Sequence, residues 1–287
     1  MDDMRWDVDE DETEHEFADG NLAGTVRIGQ TVRRATGPWT PAVHALLGHL
    51  ADRGFDAAPR VLGFDAKGRE VIEFLPGESA PPDLTGFRED AVVARVARLL
   101  RRYHDAVVGF LPPAGANWRY TVGAPREGEI ICHNDVAPWN VIFAGGQPTA
   151  LIDWDFAAPG PRTWDISYAL WRFVPMSAGE GFGPPSERGR RIALFLSSYG
   201  TDEAIGPLAG DDVMGLIETR ERSLLATQRA WGEAGVPGFA EMLRDGHDIG
   251  VERDLGYLAR HREEIARAID RGIKVSGTSG PERSASR

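Results

Sequence analysis

Cysteine is all but absent from this chain: Cys132 stands alone among 287 residues. An intrachain disulfide and a cysteine-built metal cluster are both excluded. Long apolar runs are missing as well. No stretch approaches the ~18 consecutive apolar residues of a membrane span, and the opening MDDMRWDVDEDETEHEF is acidic where a secretory leader has a basic start and an apolar segment. Positive charge is short. Lys and Arg number 32 against 44 Asp and Glu, a formal net charge of −12, which disfavours nucleic acid or an anionic membrane as partner and suits a cationic small molecule. Together these absences read as a cytoplasmic protein with no nucleic-acid or membrane partner. Enough apolar material remains for a core: 42% of residues are hydrophobic and 9% aromatic, at a length that supports one large domain or two smaller ones.

The pattern changes character once along the chain. Residues 1–15 read as a flexible lead. From Glu16 to Leu75, short alternating runs (NLAGTVRIG, QTVRRA, RVLGFD, REVIEFL) separated by glycine turns predict antiparallel strands. TPAVHALLGHLADRG supplies one amphipathic helix, with Thr40 as N-cap and Pro41 at the first helical position. PGESAPPDLTG is a Pro/Gly-rich joint, after which REDAVVARVARLLRRYHDAVV and the segments near 186–199, 210–233 and 251–270 carry helical spacing. The expectation is a small sheet lobe over 1–75, a larger helical lobe over 76–272, and a polar, Gly/Ser-rich disordered tail over 273–287.

ICHNDVAPWNVIF, residues 131–143, breaks a run that should be a buried strand by inserting His133, Asp135 and Asn140. It continues through a glycine turn into TALIDWD. A turn centred on Gly146 and Gln147 places Phe143 opposite Ala150 and Asn140 opposite Asp153, and opposed residues of an antiparallel pair have Cβ atoms about 4.5–5.5 Å apart. An amide oxygen and a carboxylate brought together so, with room for water and phosphate, suit Mg²⁺. Singly, these residues would read as loop caps and turn formers. As H-x-D-x-x-x-x-N followed by Asp on the returning strand, they form the catalytic-loop arrangement of kinases.

Asn134 stands where a regulated protein kinase has Arg, DWD at 153–155 replaces D-F-G, and no A-P-E follows. With CHNDVAPWNVIF, LIDWDFAAPGPRTWDISYAL and VIEFLPGES, the chain resembles the aminoglycoside phosphotransferase family over about residues 16–235, with choline kinase a more distant relative. The resemblance implies a two-lobed, protein-kinase-like α+β fold that moves the γ-phosphoryl of ATP, or of GTP, onto a small-molecule hydroxyl with Mg²⁺. It makes Asp135 the catalytic base and Asn140 and Asp153 the metal ligands. His133 and Asp165 brace the loop, and Asp155 either assists a second metal or is solvated. Gly20, Asn21 and Gly24 form the turn over the phosphates. Arg33, with Arg34 beside it, replaces the usual lysine that grips them; its acidic partner from the next helix is missing, and His44 lies near that place. The carbonyl of Glu73 and the N–H of Leu75 are the hinge contacts to a purine. His104 packs at the end of its helix. Trp139 walls the acceptor site, while Trp154, Trp164 and Trp171 belong to the core.

Two kinds of function follow from the resemblance. One is a small-molecule kinase acting on an aminoglycoside, another antibiotic, or a metabolite such as an amino alcohol or sugar. The other is a kinase-like nucleotide-binding or immunity-type protein with little or no turnover. Asp211, Asp212, Glu218, Glu221, Glu233, Glu252 and Asp254 fall in the segment the family uses for acceptor recognition, so an acidic cleft for a cationic acceptor is expected there, with interspersed arginines as the competing explanation.

Overall fold

A computed structural model describes residues 14–16, 25–120, 129–177, 181–200, 202–203 and 205–278. Gly20, Asn21 and Gly24 lie outside the described residues. The small lobe begins with strands β1 (His15–Glu16), β2 (Val26–Ile28) and β3 (Thr31–Arg34), followed by helix α1 (Thr40–Asp52) and strands β4 (Val61–Phe64) and β5 (Glu70–Glu73). The five strands form one antiparallel sheet in the order β1-β2-β3-β5-β4. Alternation sets its faces: Val26 and Ile28 are buried while Arg27 between them is not. In α1 the buried Val43, Leu46, Leu47 and Leu50 recur at helical spacing. Thr40 already lies inside that helix rather than capping it; its hydroxyl accepts the Gly37 N–H at 2.9 Å, and Trp39 occupies the cap position.

The larger lobe opens with β6 (Glu78–Ser79) and α2 (Asp90–Ala106). β7 (Ile130–Cys132), β8 (Val141–Ala144), β9 (Gln147–Leu151) and β10 (Ala158–Gly160) follow, then α3 (Arg162–Phe173), α4 (Pro185–Tyr199), α5 (Gly210–Glu233), α6 (Phe239–Arg244) and α7 (His247–Thr278). This is the two-lobed α+β, protein-kinase-like architecture expected. The joint between the lobes is more ordered than its composition suggests, because Glu78 and Ser79 add a third strand to the β8–β9 hairpin. Gly77 permits that contact: it has a φ of +145°, and a Cβ there would sit 2.5 Å from the Phe143 carbonyl oxygen.

The main core gathers α2, the hairpin and α3 around fully buried Tyr103, Phe143, Trp154 and Trp171. Helix α7 corrects the expected boundary of the tail, since residues 273–278 continue it. The reason is periodicity. Ile265 and Ile269 are buried and Ile273 packs against the same core, carrying one apolar stripe to the start of the segment expected to be tail. Among the described residues no helix is long and apolar enough to cross a membrane.

Candidate active site

The β8–β9 hairpin differs in register from the sequence expectation. Its tight turn is Gly145–Gly146, with φ of +57° and +71°, the left-handed pair that a two-residue hairpin turn demands. Ala144 therefore faces Gln147. After an irregularity between Ile142 and Phe143, Ile142 faces Ala150 and Val141 faces Leu151, whereas Phe143 faces Pro148 and not Ala150. Asn140 closes a short 3₁₀ turn, Pro138–Asn140, and its carbonyl accepts the Ile152 N–H at 3.0 Å, one residue short of Asp153. Asp153 then leaves the strand in a left-handed conformation, with φ of +60°.

Asp135 is held at both oxygens. Tyr168 donates its hydroxyl to Oδ1 at 2.7 Å, and Nδ2 of Asn140 donates to Oδ2 at 2.8 Å and to the Asp135 carbonyl at 3.0 Å. Burial pushes the Asp135 carboxyl above its ordinary range; the Tyr168 hydrogen bond opposes this and the nearby charge of Asp153 reinforces it. Because the Asn140 amide nitrogen is committed to Asp135, its oxygen is the atom left for a cation. That oxygen and the Asp153 carboxylate are two hard ligands, a set that fits Mg²⁺ carrying waters and nucleotide phosphates rather than a closed protein cage. No group of three or more His, Cys, Asp or Glu side chains arranged to hold a metal occurs among the described residues.

The loop carrying Asp135 is braced from α3. Asp165, in the first turn of that helix and fully buried, accepts the backbone N–H of His133 and of Asn134, both at 2.7 Å. Asn134 sits at φ +67°, a conformation an asparagine tolerates better than most residues. His104 also reaches Asp165, Nε2 to Oδ2 at 3.1 Å, so Nε2 carries the hydrogen and Nδ1 accepts the Tyr199 hydroxyl at 2.8 Å. Burial holds His104 below its usual range. Burial alone would raise Asp165, but the hydrogen bond and charge of His104 and the amide donors lower it. His133 Nε2 meets the Ile152 carbonyl at 3.0 Å, tying the loop to the strand that leads to Asp153. His104 is therefore more than the packing residue its position suggests.

Of the two arginines on β3, Arg34 faces the cleft. It bonds Glu70 at 2.5 Å, Asp153 at 3.1 Å and Asp155 at 2.7 Å. Arg33 is buried on the opposite side, beside Thr31 and with Asp65 at 3.9 Å. The acidic partner that α1 lacks comes from β5: Glu70 lies directly opposite Arg34 in the sheet, and His44 of α1 meets the same carboxylate at 2.7 Å. Burial pushes Glu70 up, and the His44 hydrogen bond with the charge of Arg34 brings it below the ordinary range. Counting the strand register could have found Glu70; looking only to the following helix could not. Asp155 is raised by burial against the charge of Arg34, and Arg119 stands 3.5 Å from it. At the end of β5, Glu73 N–H bonds the Arg60 carbonyl and Phe74 N–H the Gln30 carbonyl, both at 2.9 Å, which fixes the segment that carries Leu75.

Trp139 is half-buried at the cleft, with the Arg172 guanidinium 5.3 Å from its ring centre; Trp154, Trp164 and Trp171 are buried. The acidic residues of α5 and α7 are largely neutralised. Asp211 pairs with Arg262, Glu218 with Arg222 and Arg262, and Glu252 with Arg229.

Residues 123–197, which contain the whole hairpin and its brace, match the Phosphotransferase enzyme family. The trifolitoxin immunity protein of Rhizobium leguminosarum bv. trifolii is 35% identical over 190 residues, which cover 63% of this chain and 72% of that protein. Solved structures with the same fold include the amicoumacin kinase hAmiN in complex with AMP-PNP, Ca²⁺ and Ami, at 13% identity and a TM-score of 0.59, covering 88% of each chain. The aminoglycoside phosphotransferase of Alicyclobacillus acidocaldarius subsp. acidocaldarius follows at 15% identity and 0.56, covering 92% of this chain and 93% of that one. The GDP complex of aminoglycoside 2′-phosphotransferase-IIIa aligns at 15% and 0.54, covering 88% and 93%.

Proposed function

The chain belongs to the phosphotransferase enzyme family, and on that premise we propose that it is a kinase-like nucleotide-binding protein of the immunity type, in which phosphoryl transfer is slow. The small lobe, through residue 75, takes ATP or GTP at the Glu73–Leu75 hinge with Arg34 toward the phosphates. Residues 76–272 carry the catalytic hairpin and the small-molecule site. Mg²⁺ held by Asn140 and Asp153 supplies charge neutralisation for the phosphates when bound. Asp135, oriented by Tyr168 and Asn140, takes the proton of a ligand hydroxyl.

One observation carries the emphasis on binding over turnover: the Arg34 guanidinium spans Glu70, Asp153 and Asp155 at once. A guanidinium is always charged and makes fixed, forked hydrogen bonds. A metal approaching Asp153 shares that carboxylate with the Arg34 guanidinium, which bonds its Oδ1, so the competent arrangement is reached against a fixed neighbouring cation that a lysine with a single point charge would not hold there to the same extent. The trifolitoxin immunity protein among the relatives supports the same emphasis on immunity over turnover.

A second reading, a small-molecule kinase conferring antibiotic resistance or acting on a metabolite, is favoured by Asp135 being held for base catalysis by two donors. Asp135→Asn separates the two. Under the binding reading, cells expressing the variant stay protected against the toxic compound that the wild type resists, and turnover of labelled ATP or GTP over an acceptor library is low for both. Under the kinase reading, transfer falls about 10²–10⁴-fold and protection falls with it.

A further inference from the structure

Asp135 is carried by a peptide group that the fold holds at both ends. His133 meets the Ile152 carbonyl through Nε2, which therefore carries the ring hydrogen and leaves Nδ1 to accept the Asp135 N–H at 3.3 Å. The other end of the same peptide is the Asn134 carbonyl, which accepts Nη2 of Arg220, a buried residue of α5, at 2.7 Å. Asn134 has a φ of +67°, with its N–H on Asp165 at 2.7 Å and its Nδ2 on the Phe156 carbonyl at 2.9 Å. A side-chain-bearing residue keeps a left-handed conformation when its surroundings over-determine it. Here α3, the turn after the β8–β9 hairpin and α5 do so together.

The same guanidinium reaches Asp135 by a second route. It lies 4.4 Å from the ring centre of Tyr168, whose hydroxyl bonds Asp135 Oδ1 at 2.7 Å, and 5.0 Å from that of Trp164. Arg220 thus touches both the backbone before Asp135 and the donor on its carboxylate. Its Nε and Nη1 have no hydrogen-bond partner. A buried cation so incompletely paired is a costly way to fill a position that an apolar side chain would fill without the desolvation penalty. Packing alone does not account for it.

We propose that Arg220 is a positioning residue for Asp135: through the Asn134 carbonyl and the Tyr168 ring it sets the direction of the Asp135 carboxylate toward the ligand hydroxyl. The proposal rests on Asp135 acting as the base in the function proposed above and adds the α5 side chain that orients it.

Arg220→Met keeps a flexible apolar stem against Tyr168 and Trp164 and removes the donor, whereas Arg220→Lys keeps a donor and the charge. Single-turnover hydrolysis of γ-labelled ATP and GTP by the full chain with Mg²⁺, in which water takes the place of the ligand hydroxyl, reads the difference. It should slow about tenfold or more in Arg220→Met, the scale on which small misplacements act, with nucleotide affinity unchanged, and Arg220→Lys should recover part of the rate. Crystal structures of the three proteins should show the Asn134–Asp135 peptide turned and the Tyr168–Asp135 bond lost in Arg220→Met alone. An unchanged rate, a rate that falls only in step with nucleotide affinity, no recovery in Arg220→Lys, or a peptide that keeps its orientation in Arg220→Met would each overturn the proposal. So would a wild type that binds nucleotide and does not hydrolyse it. Arg220→Gln makes the same comparison should Arg220→Met not fold. Nucleotide affinity, measured separately with a fluorescent ATP analogue, keeps the two readings apart. A wild type that binds no nucleotide, while the peptide turns in Arg220→Met, defeats the function proposed above and leaves the role of Arg220 standing.

Discussion

Tyr168 and Asp135 share a 2.7 Å hydrogen bond that joins the first helix after the hairpin to the loop between β7 and β8. The bond holds down a carboxyl that burial raises. Tyr168→Phe should therefore raise Asp135 further and destabilise the fold by ~1.5–3 kcal/mol at neutral pH, the range for a hydrogen bond to a charged group. A carboxyl raised by folding contributes stability that is complete below its unfolded value of 3.8 and is lost as pH rises. The penalty of the variant must accordingly shrink toward acid, where Asp135 is protonated in both proteins. Urea unfolding at several pH values measures this; a penalty independent of pH would sink the idea.

Arg34 should compete with magnesium. Replacing it by Met leaves Glu70, Asp153 and Asp155 without their shared partner, and breaking a buried ion pair by removing one member costs ~3–5 kcal/mol. A divalent cation can restore part of that loss by binding the vacated carboxylates. Thermal melts with added Mg²⁺ and no nucleotide should show a larger gain in Tm for Arg34→Met than for wild type. Equal gains would mean that Arg34 does not guard the metal position.

The brace from α3 gives a third expectation. Asp165 accepts from two backbone amides and from His104, and its lowered carboxyl contributes stability above 3.8 that is lost as pH falls through its folded value. Asp165→Asn places an N–H against that ring of donors and should destabilise by ~3–5 kcal/mol near neutral pH. The gap from wild type should narrow at about pH 3. Denaturant midpoints at the two pH values test both the sign and the size.

How far the sequence could be read depended on whether a partner was local. The hairpin residues were legible because spacing along one strand, turn and strand brings Asn140 near Asp153. The turn itself was misplaced by one residue, since only the paired left-handed glycines fix where the count begins. Arg34 was distinguishable from Arg33 only with the sheet register, which sets Glu70 opposite it across β5. Tyr168 sits on a helix face that periodicity assigns to the core, and it is buried there; nothing in spacing shows that its hydroxyl meets Asp135. The charges of α5 and α7 left two explanations open for a related reason. Composition counts carboxylates, whereas the field in the cleft depends on which of them Arg222, Arg229 and Arg262 have already neutralised.

Glu221 offers the cleanest titration in the molecule. It is buried on α5 with both oxygens unbonded, facing the charges of Asp254, Arg172, Glu218 and Arg222, and burial moves its carboxyl from 4.5 to about 9. Between those two values the folded chain holds a proton that the unfolded chain has released. Stability tied to this group is therefore complete below 4.5 and falls by ~1.4 kcal/mol per pH unit through the window, until the folded carboxyl also ionises. Glu221→Gln keeps the shape and a donor but cannot ionise. The variant should match or fall slightly below wild type at about pH 5 and become the more stable protein toward about pH 8, so the two stability curves cross. Asp254, also raised by burial, titrates in the same direction in both proteins and drops out of the difference. Chemical denaturation across that range reads the crossing directly, and parallel curves would show that Glu221 is already ionised in the folded chain.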